Sequence, residues 1–460
     1  MLRDAALARL MPSGPRADAD FLDVALAQPA RVLVLSFVAI CALGTLLLGL
    51  PVAAQGDPVA WIDAAFTSVS ATCVTGLAVV DTPTTYSGFG LGVILALIQV
   101  GGLGIMVFSA AMVVLLGRRL SLSHERAAAD LVGAEGRGDL LGVIRLVFRV
   151  TLVTEGVAAL LLFGAFLLHG DGVGQAAWRG LFTAISAFCN AGFALQSDSL
   201  VSYADSPLVL GVTGLTIVVG GLGPGVVAAL WTWRRRQSRT LHVRMVLWTS
   251  ALLIVIPTLA ILALEWGETL GSLSFIDKLG NAAFQAVTLR TAGFNSIDLA
   301  AIQPATWTVM VLVMFVGGSP GSTAGGAKTT TIAVLVLAIA AVVRGRARVE
   351  VFGRALPTAT VMRATAVTTV GVLACGGALF ALQLTQTLPL DTALFEVVSA
   401  LATVGLSTGA TSALDDVGKL IIMACMFAGR VGPLTLFVFL SLRPQGRASW
   451  RFPEESVPIG

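Results

Sequence analysis

Four short stretches of this chain have the composition needed to hold a bare cation with backbone oxygen alone. They read AAFTSVSATCVTGL from Ala64 to Leu77, GLFTAISAFCNAGF from Gly180 to Phe193, NAAFQAVTLRTAGF from Asn281 to Phe294 and ALFEVVSALATVGL from Ala393 to Leu406. Phe66 and Gly76, Phe182 and Gly192, and Phe395 and Gly405 are 10 residues apart, Phe284 and Gly293 are 9. Each stretch ends on a candidate coordinating segment: Val74-Thr75-Gly76, Asn190-Ala191-Gly192, Thr291-Ala292-Gly293 and Thr403-Val404-Gly405. Glycine has no Cβ and accepts positive φ, so it lets the chain turn its carbonyls toward an ion in place of water. One such segment offers too few oxygens, whereas four around one axis would supply rings of them. A second feature follows each: VGGLG from Val100, VGGLG from Val219, VGGSPG from Val316 and AGRVG from Ala428. Close helix packing through small residues explains one such copy. It does not explain four pairs in register, which mark an internal repeat.

A second constellation is the stretch GGSPGSTAGGAKTTT, Gly317 to Thr331. Gly317, Gly318, Pro320, Gly321, Gly325 and Gly326 cannot stay helical together. Ser319, Ser322, Thr323 and Lys328, with Ala324 among them, place polar groups inside an apolar run. The run approximates a phosphate-binding loop. However, Ala327 separates Gly326 from Lys328 and no strand precedes it, so nucleotide binding is not expected. Arg430 lies within the last apolar run. A centrally placed arginine costs about 2.5–3.5 kcal/mol on insertion scales, so it should face a pore or pair with carbonyls of the loop. Replacing it should raise ion flux if it acts as an electrostatic barrier; the plainer alternative is a purely structural hydrogen bond. Arg290 and Glu396 are expected to pair as a brace between neighbouring repeats, since neither should stand buried alone. Glu155 contacts another repeat or a polar cavity and is assigned no part in transport. The five cysteines lie in apolar stretches and read as buried small side chains. No HExxH, acid pair or nucleophile–base set points to an enzyme.

The elements that must position these groups are membrane helices. Of 460 residues, 56% are hydrophobic and 12% charged, against roughly 25% charged in soluble domains. Eight runs are long enough to cross a bilayer, which needs about 20 apolar residues: 31–50, 88–117, 143–168, 207–233, 244–264, 305–343, 360–384 and 418–442. The sixth is broken by the glycine-rich stretch. Four shorter pieces, near 61–72, 175–188, 275–288 and 390–401, would rise only about 18 Å and must re-enter from one side. Arginines set the orientation. Arg118, Arg119, Arg126 and Arg137 follow the second run; Arg234, Arg235, Arg236 and Arg239 the fourth; Arg344, Arg346, Arg348 and Arg354 the sixth; Arg443, Arg447 and Arg451 the eighth. The other loops are acidic. The expected organisation is a cytoplasmic tail over 1–30, repeats over 31–117, 143–233, 244–343 (with an intramembrane loop, 317–328) and 360–442, a cytoplasmic loop over 118–142 and a cytoplasmic tail over 443–460. No secretory signal is visible.

On these four stretches and the 317–331 loop the chain resembles the Trk/Ktr/HKT superfamily of potassium transporters, and within it the KtrB-type subunits. The resemblance implies an all-α integral membrane protein with four parallel M1–pore helix–M2 repeats about a pseudo-fourfold axis, and cytoplasmic termini. It implies K+ as the transported ion, with no organic cofactor, and Na+ as a candidate activator. A glycine in all four filter segments goes with potassium in this family, while a serine in the first goes with sodium; here the first is Gly76. The loop would obstruct the pore beneath the filter, with Lys328 repelling cations and Arg430 close by. Implied partners are a second copy in a homodimer and a cytoplasmic ring of KtrA-type nucleotide-binding subunits, with no nucleic acid. The arginine-rich loops suit that ring or anionic lipid equally. The expected location is the plasma (inner) membrane of a bacterium. The rival classes are an alternating-access cation symporter, a membrane enzyme and an assembly subunit.

Overall fold

The computed structural model describes residues 29–117, 140–233 and 240–442. The expected tails, most of the 118–142 loop, and the arginines at 118–137, 234–239 and 443–451 lie outside the described residues.

Helices come in four sets, each a long first helix, a shorter second one and a closing arm, which in the second and third sets is split into two helices. The first is α1 (Pro29–Leu48), α2 (Trp61–Thr72) and α3 (Gly88–Gly117). The second is α4 (Leu140–Leu168), α5 (Val173–Cys189), α6 (Pro207–Leu222) and α7 (Pro224–Trp231). The third is α8 (Leu241–Leu264), α9 (Phe275–Thr288), α10 (Pro304–Met314) and α11 (Thr329–Val343). The fourth is α12 (Thr358–Thr385), α13 (Leu390–Leu401) and α14 (Asp416–Leu442). Among the described residues, five helices are long and apolar enough to cross a membrane, or six if the bent α6–α7 pair is one span. The most apolar stretch of α12 is only 6% buried, against 50% for α3. Leu373 and Phe380 on α12 are exposed. Such a helix is stable only where its surroundings are themselves apolar.

Three of the four short helices start on polar signals. Asp63, Asp277 and Asp391 occupy first turns, where a carboxylate meets the positive end of the helix dipole. Ser274 caps α9 by accepting from the Asp277 amide, a bond that satisfies one of the free N–H groups of the first turn. Their matched phenylalanines explain themselves in packing. Phe182 of α5 is buried with Leu48 and Ile94 of the first set, and Phe284 of α9 with Val209 and Leu210 of the second. Phe395 of α13 packs with Met310 and Met314 of the third, and Phe66 of α2 with Ile422 and Met426 of the fourth. Each short helix therefore inserts a ring into the preceding set, and the first closes on the last. Truncating one of these rings to Ala should cost about 3–5 kcal/mol.

The fourth apolar run, expected as one span, is broken. At Gly223 (φ +81) the chain bends by 104° between α6 and α7. Pro224 explains the position: it has no N–H to continue α6, and its fixed φ suits the first residue of α7. Beyond α11, Glu350–Val351 pairs antiparallel with Arg354–Ala355. Phe352 and Gly353 turn between these short strands β1 and β2 at positive φ, the conformation such a two-residue hairpin needs.

One ion pair ties the first set to the fourth. Lys419 Nζ lies 2.6 Å from Asp63 Oδ1, with side chains 14% and 17% exposed. In a double-mutant cycle of Asp63→Asn and Lys419→Met, thermal unfolding of the purified protein should show coupling of about 1 kcal/mol or more, since water screens this pair less than a surface one. Additive losses would mean that the pair contributes nothing.

Candidate functional site: a ring of four backbone segments

Three of the short helices end in the same way. Thr75 N–H donates to Ser70 O (2.8 Å) and Val74 N–H to Ala71 O (3.1 Å). The same two bonds join Ala191 to Ser186 and Asn190 to Ala187, and Val404 to Ser399 and Thr403 to Ala400. This is the two-bond helix terminator that normally places a glycine in the left-handed region. Here that place holds Val74 (φ 55), Asn190 (φ 60) and Thr403 (φ 52), and Thr291 (φ 69) in the third set. Left-handed β-branched residues are rare, and such backbone costs on the order of 1–3 kcal/mol each. The third stretch is one residue shorter, and there Ala292 N–H donates to Thr288 O instead. Two residues on, Gly76 (φ 98), Gly192 (φ 70), Gly293 (φ 79) and Gly405 (φ 93) again take positive φ. Helix ends do not require this alternation. It turns successive carbonyls of each segment in a set pattern.

The segments close on one another. A Cβ placed on Gly192 would lie 2.9 Å from Ala292 O, and one on Gly293 would lie 2.6 Å from Val404 O. Cβ atoms on Gly405 and Gly76 would strike Thr75 O and Ala191 O. The middle carbonyl of every segment thus abuts the glycine of a neighbour, in an unbroken cycle of four. The expected segments at 74–76, 190–192, 291–293 and 403–405 are all brought together, by backbone rather than by side chains.

The second glycine feature also has a geometric cause. A Cβ on Gly101, Gly220 or Gly429 would strike a carbonyl at a short-helix end: Thr72 O, Phe188 O and Leu401 O respectively. The outer helices touch the short-helix ends directly, and only glycine fits between them. At the corresponding Gly317 the obstacle is Gly325 O, from the glycine-rich loop itself.

That loop, residues 317–328, lies against the ring. Gly325 N–H donates to Thr291 Oγ1 (3.3 Å), and Thr323 Oγ1 to Phe188 O (3.0 Å). A Cβ on Gly325 would strike Thr403 Oγ1. Ser319, Ser322, Thr323 and Ala324 are buried, and Pro320 and Gly321 (φ 77) make the outward turn. Gly317 N–H to Ala327 O (2.9 Å) and Thr329 N–H to Gly318 O (3.0 Å) join its two stems, and Gly326 beside Ala327 takes positive φ (62). The break at Gly223 gains its meaning here. It leaves the last carbonyls of α6 without intrahelical partners, and Ser319 N–H donates to Gly221 O (3.0 Å). The sequence signal was the Gly-Pro pair inside an apolar run.

Two cations attend the loop. Lys328 Nζ donates to Ala324 O (2.6 Å). Arg430 is 4% exposed, and its Nη1 donates to Thr323 O. Among the described residues its Nε and Nη2 meet no hydrogen-bond partner. The structural hydrogen bond weighed for Arg430 is therefore present, through one of its three nitrogens.

The expected Arg290–Glu396 brace is not formed. Arg290 Nη2 donates to Ser250 Oγ (3.1 Å). Glu396 accepts from Ser407 Oγ (2.7 Å), Thr408 N–H (3.0 Å) and Thr411 Oγ1. Donors from the carboxylate's own exit loop satisfy it, so it needs no cation. It fixes the chain after the fourth segment. Cys41, Cys73, Cys189 and Cys425 are buried and unbridged as expected, whereas Cys375, on the exposed helix α12, is also free but only half-buried.

Comparison with known proteins follows the same outline. The family model described as TrkH, cation transport protein, matches residues 15–451. The chain is 38% identical over 434 residues to Ktr system potassium uptake protein B of Bacillus subtilis, covering 94% of this chain and 97% of that one. It is 34% identical over 440 residues to the potassium/sodium uptake protein NtpJ of Enterococcus hirae, again 94% and 97% of the two chains. Its fold matches the crystal structure of the potassium transporter TrkH from Vibrio parahaemolyticus with a TM-score of 0.71 at 21% identity, over 90% of this chain and 85% of that one.

Proposed function

The chain belongs to the TrkH family of cation transport proteins, a family of transporters and not of enzymes, and from that premise we propose that it carries potassium into the cell through one pore. The observation that carries this reading is the closed cycle of Gly76, Gly192, Gly293 and Gly405, each against the carbonyl of another segment. Four helix C-termini converge there, and their dipoles favour a cation. The oxygens of Thr75, Ala191, Ala292 and Val404 then replace the water of a bare alkali ion.

In this reading the four sets are M1–pore helix–M2 repeats about a pseudo-fourfold axis. Eight crossings hold both termini in the cytoplasm of a bacterium, and the short helices re-enter from outside. Non-helical backbone at mid-membrane depth is tolerated where it lines a polar cavity. The buried polar atoms of Asn190, Ser319 and Arg430 that meet no hydrogen-bond partner among the described residues suit such a path. The 317–328 loop is its gate: hydrogen-bonded beneath the ring it obstructs the pore, and Lys328 and Arg430 add positive charge where a cation must pass. Uptake is driven by membrane potential, about 2.3 kcal/mol per charge per 100 mV. A second copy and a cytoplasmic nucleotide-binding ring complete the assembly, with Na+ a candidate activator.

Comparing K+ and Na+ uptake of the wild type and Gly76→Ser in a transport-deficient bacterium tests this function. At φ +98 any side chain is strained, and a shift of about 1.4 kcal/mol between the two ions is tenfold in preference. Gly76→Ser should lower K+-over-Na+ preference by about that factor or more. Equal preference in the two proteins would contradict the filter.

A further inference from the structure

One buried polar chain lies outside the ring and the loop. Glu155 sits midway along α4 and is 5% exposed. An acidic side chain within an apolar helix is costly and marks a functional site by default. Its Oε2 accepts from Nε2 of Gln99 on α3 (3.0 Å), while its Oε1 has no hydrogen-bond partner among the described residues. The Gln99 bond is therefore the one that orients it. Gln99 Oε1 in turn accepts from Cys189 Sγ (3.5 Å). An acceptor on one side and a thiol donor on the other leave the amide one orientation. Cys189 is the last residue of α5. Next comes Asn190, the left-handed residue that turns the chain into the second coordinating segment. Gly102 makes room for the contact, since a Cβ there would lie 2.7 Å from Cys189 Sγ.

The arrangement belongs to one set alone. The residues preceding the four second glycine features are Gln99, Val218, Phe315 and Phe427. Packing at this position is met by apolar side chains three times, so the fold does not demand an amide. The second segment is singular as well. It carries Asn190 where the others have Val74, Thr291 and Thr403, and Asn190 is 1% exposed with no hydrogen-bond partner for either amide atom among the described residues.

We propose that Glu155, acting through Gln99, is a positioning residue for ion selection: the acid–amide–thiol chain holds the end of α5 and so sets where Ala191 O stands in the ring. The proposal rests on the ring being the ion filter. Removing a link lets the second segment relax and accept a smaller ion.

The test uses the full-length protein in proteoliposomes, measuring K+ and Na+ uptake and the Tm of each variant. Gln99→Val installs the residue found at the corresponding place of the second set. Gln99→Val and Glu155→Ala should each lower K+-over-Na+ preference by roughly tenfold, equivalent to about 1.4 kcal/mol. Their combination should lower it no further, because both break one chain. Glu155→Gln, whose amide oxygen still accepts from Gln99, should keep the wild-type preference. Unchanged preference in the single variants with a lowered Tm, or additive losses in the double variant, would overturn the proposal and leave Glu155 a stability element. A wild type that does not discriminate the two ions would instead overturn the filter reading on which it rests.

Discussion

Gly192→Ala should reduce K+ uptake by roughly 100-fold while the protein still reaches the membrane, the scale expected when coordinating groups shift by about 1 Å. The added methyl would lie 2.8 Å from Gly293 Cα, 2.9 Å from Ala292 O and 3.0 Å from Gly293 C. All three are backbone atoms of the adjoining segment, so no side-chain rotation relieves the clash. The φ of +70 adds about 1–2 kcal/mol of strain for any residue with a Cβ. The obstructed atoms are the carbonyl proposed to hold the ion and the glycine beside it, so the ring must open. Gly211→Ala is the matched control. It lies in α6 with open space around its Cα, and a helical Gly-to-Ala change is neutral or stabilising. Uptake assays with surface quantification separate the two, and comparable uptake by both variants would show that the ring does not carry the ion.

Arg430→Ala should act in the opposite sense, raising basal K+ flux. Two effects combine. The variant removes the donor that holds Thr323 O, loosening the loop against the ring. It also removes a positive charge from the proposed cation path. For charges roughly 8 Å apart at an effective dielectric of about 20, the repulsion is about 2 kcal/mol, or about thirty-fold in rate. Arg430→Lys retains the charge while losing the planar donor array, so it should recover most of the barrier if charge dominates. Flux through purified protein without regulatory partners is the direct readout. Unchanged flux in Arg430→Ala would reduce the residue to a structural tie.

Much of the scaffold is legible in the sequence because it depends on local rules. The short helices expected near 61–72, 275–288 and 390–401 are Trp61–Thr72, Phe275–Thr288 and Leu390–Leu401, since each has an acidic first turn and an apolar face, with a glycine four or five residues past its end. The left-handed Val74, Asn190, Thr291 and Thr403 are not legible. Valine and threonine avoid that conformation on their own, and only tertiary contact enforces it. The inter-set insertion of the four phenylalanines is likewise invisible locally, although their fixed distance from the glycines is its trace. The break at Gly223 was hidden by hydropathy, which registers an uninterrupted apolar run and is blind to a missing N–H. The Arg290–Glu396 brace does not form because a buried carboxylate is satisfied by neutral donors as well as by an opposite charge. Ser407, Thr408 and Thr411, a few residues beyond Glu396, supply the donors instead.

The most direct test is to locate the ion. Crystals grown with Tl+ or Rb+ in place of K+ should show an anomalous peak between the carbonyl oxygens of Thr75, Ala191, Ala292 and Val404, and it should weaken as K+ is added back. A peak found only among side-chain oxygens elsewhere in the helices, with none between the four segments, would contradict the account.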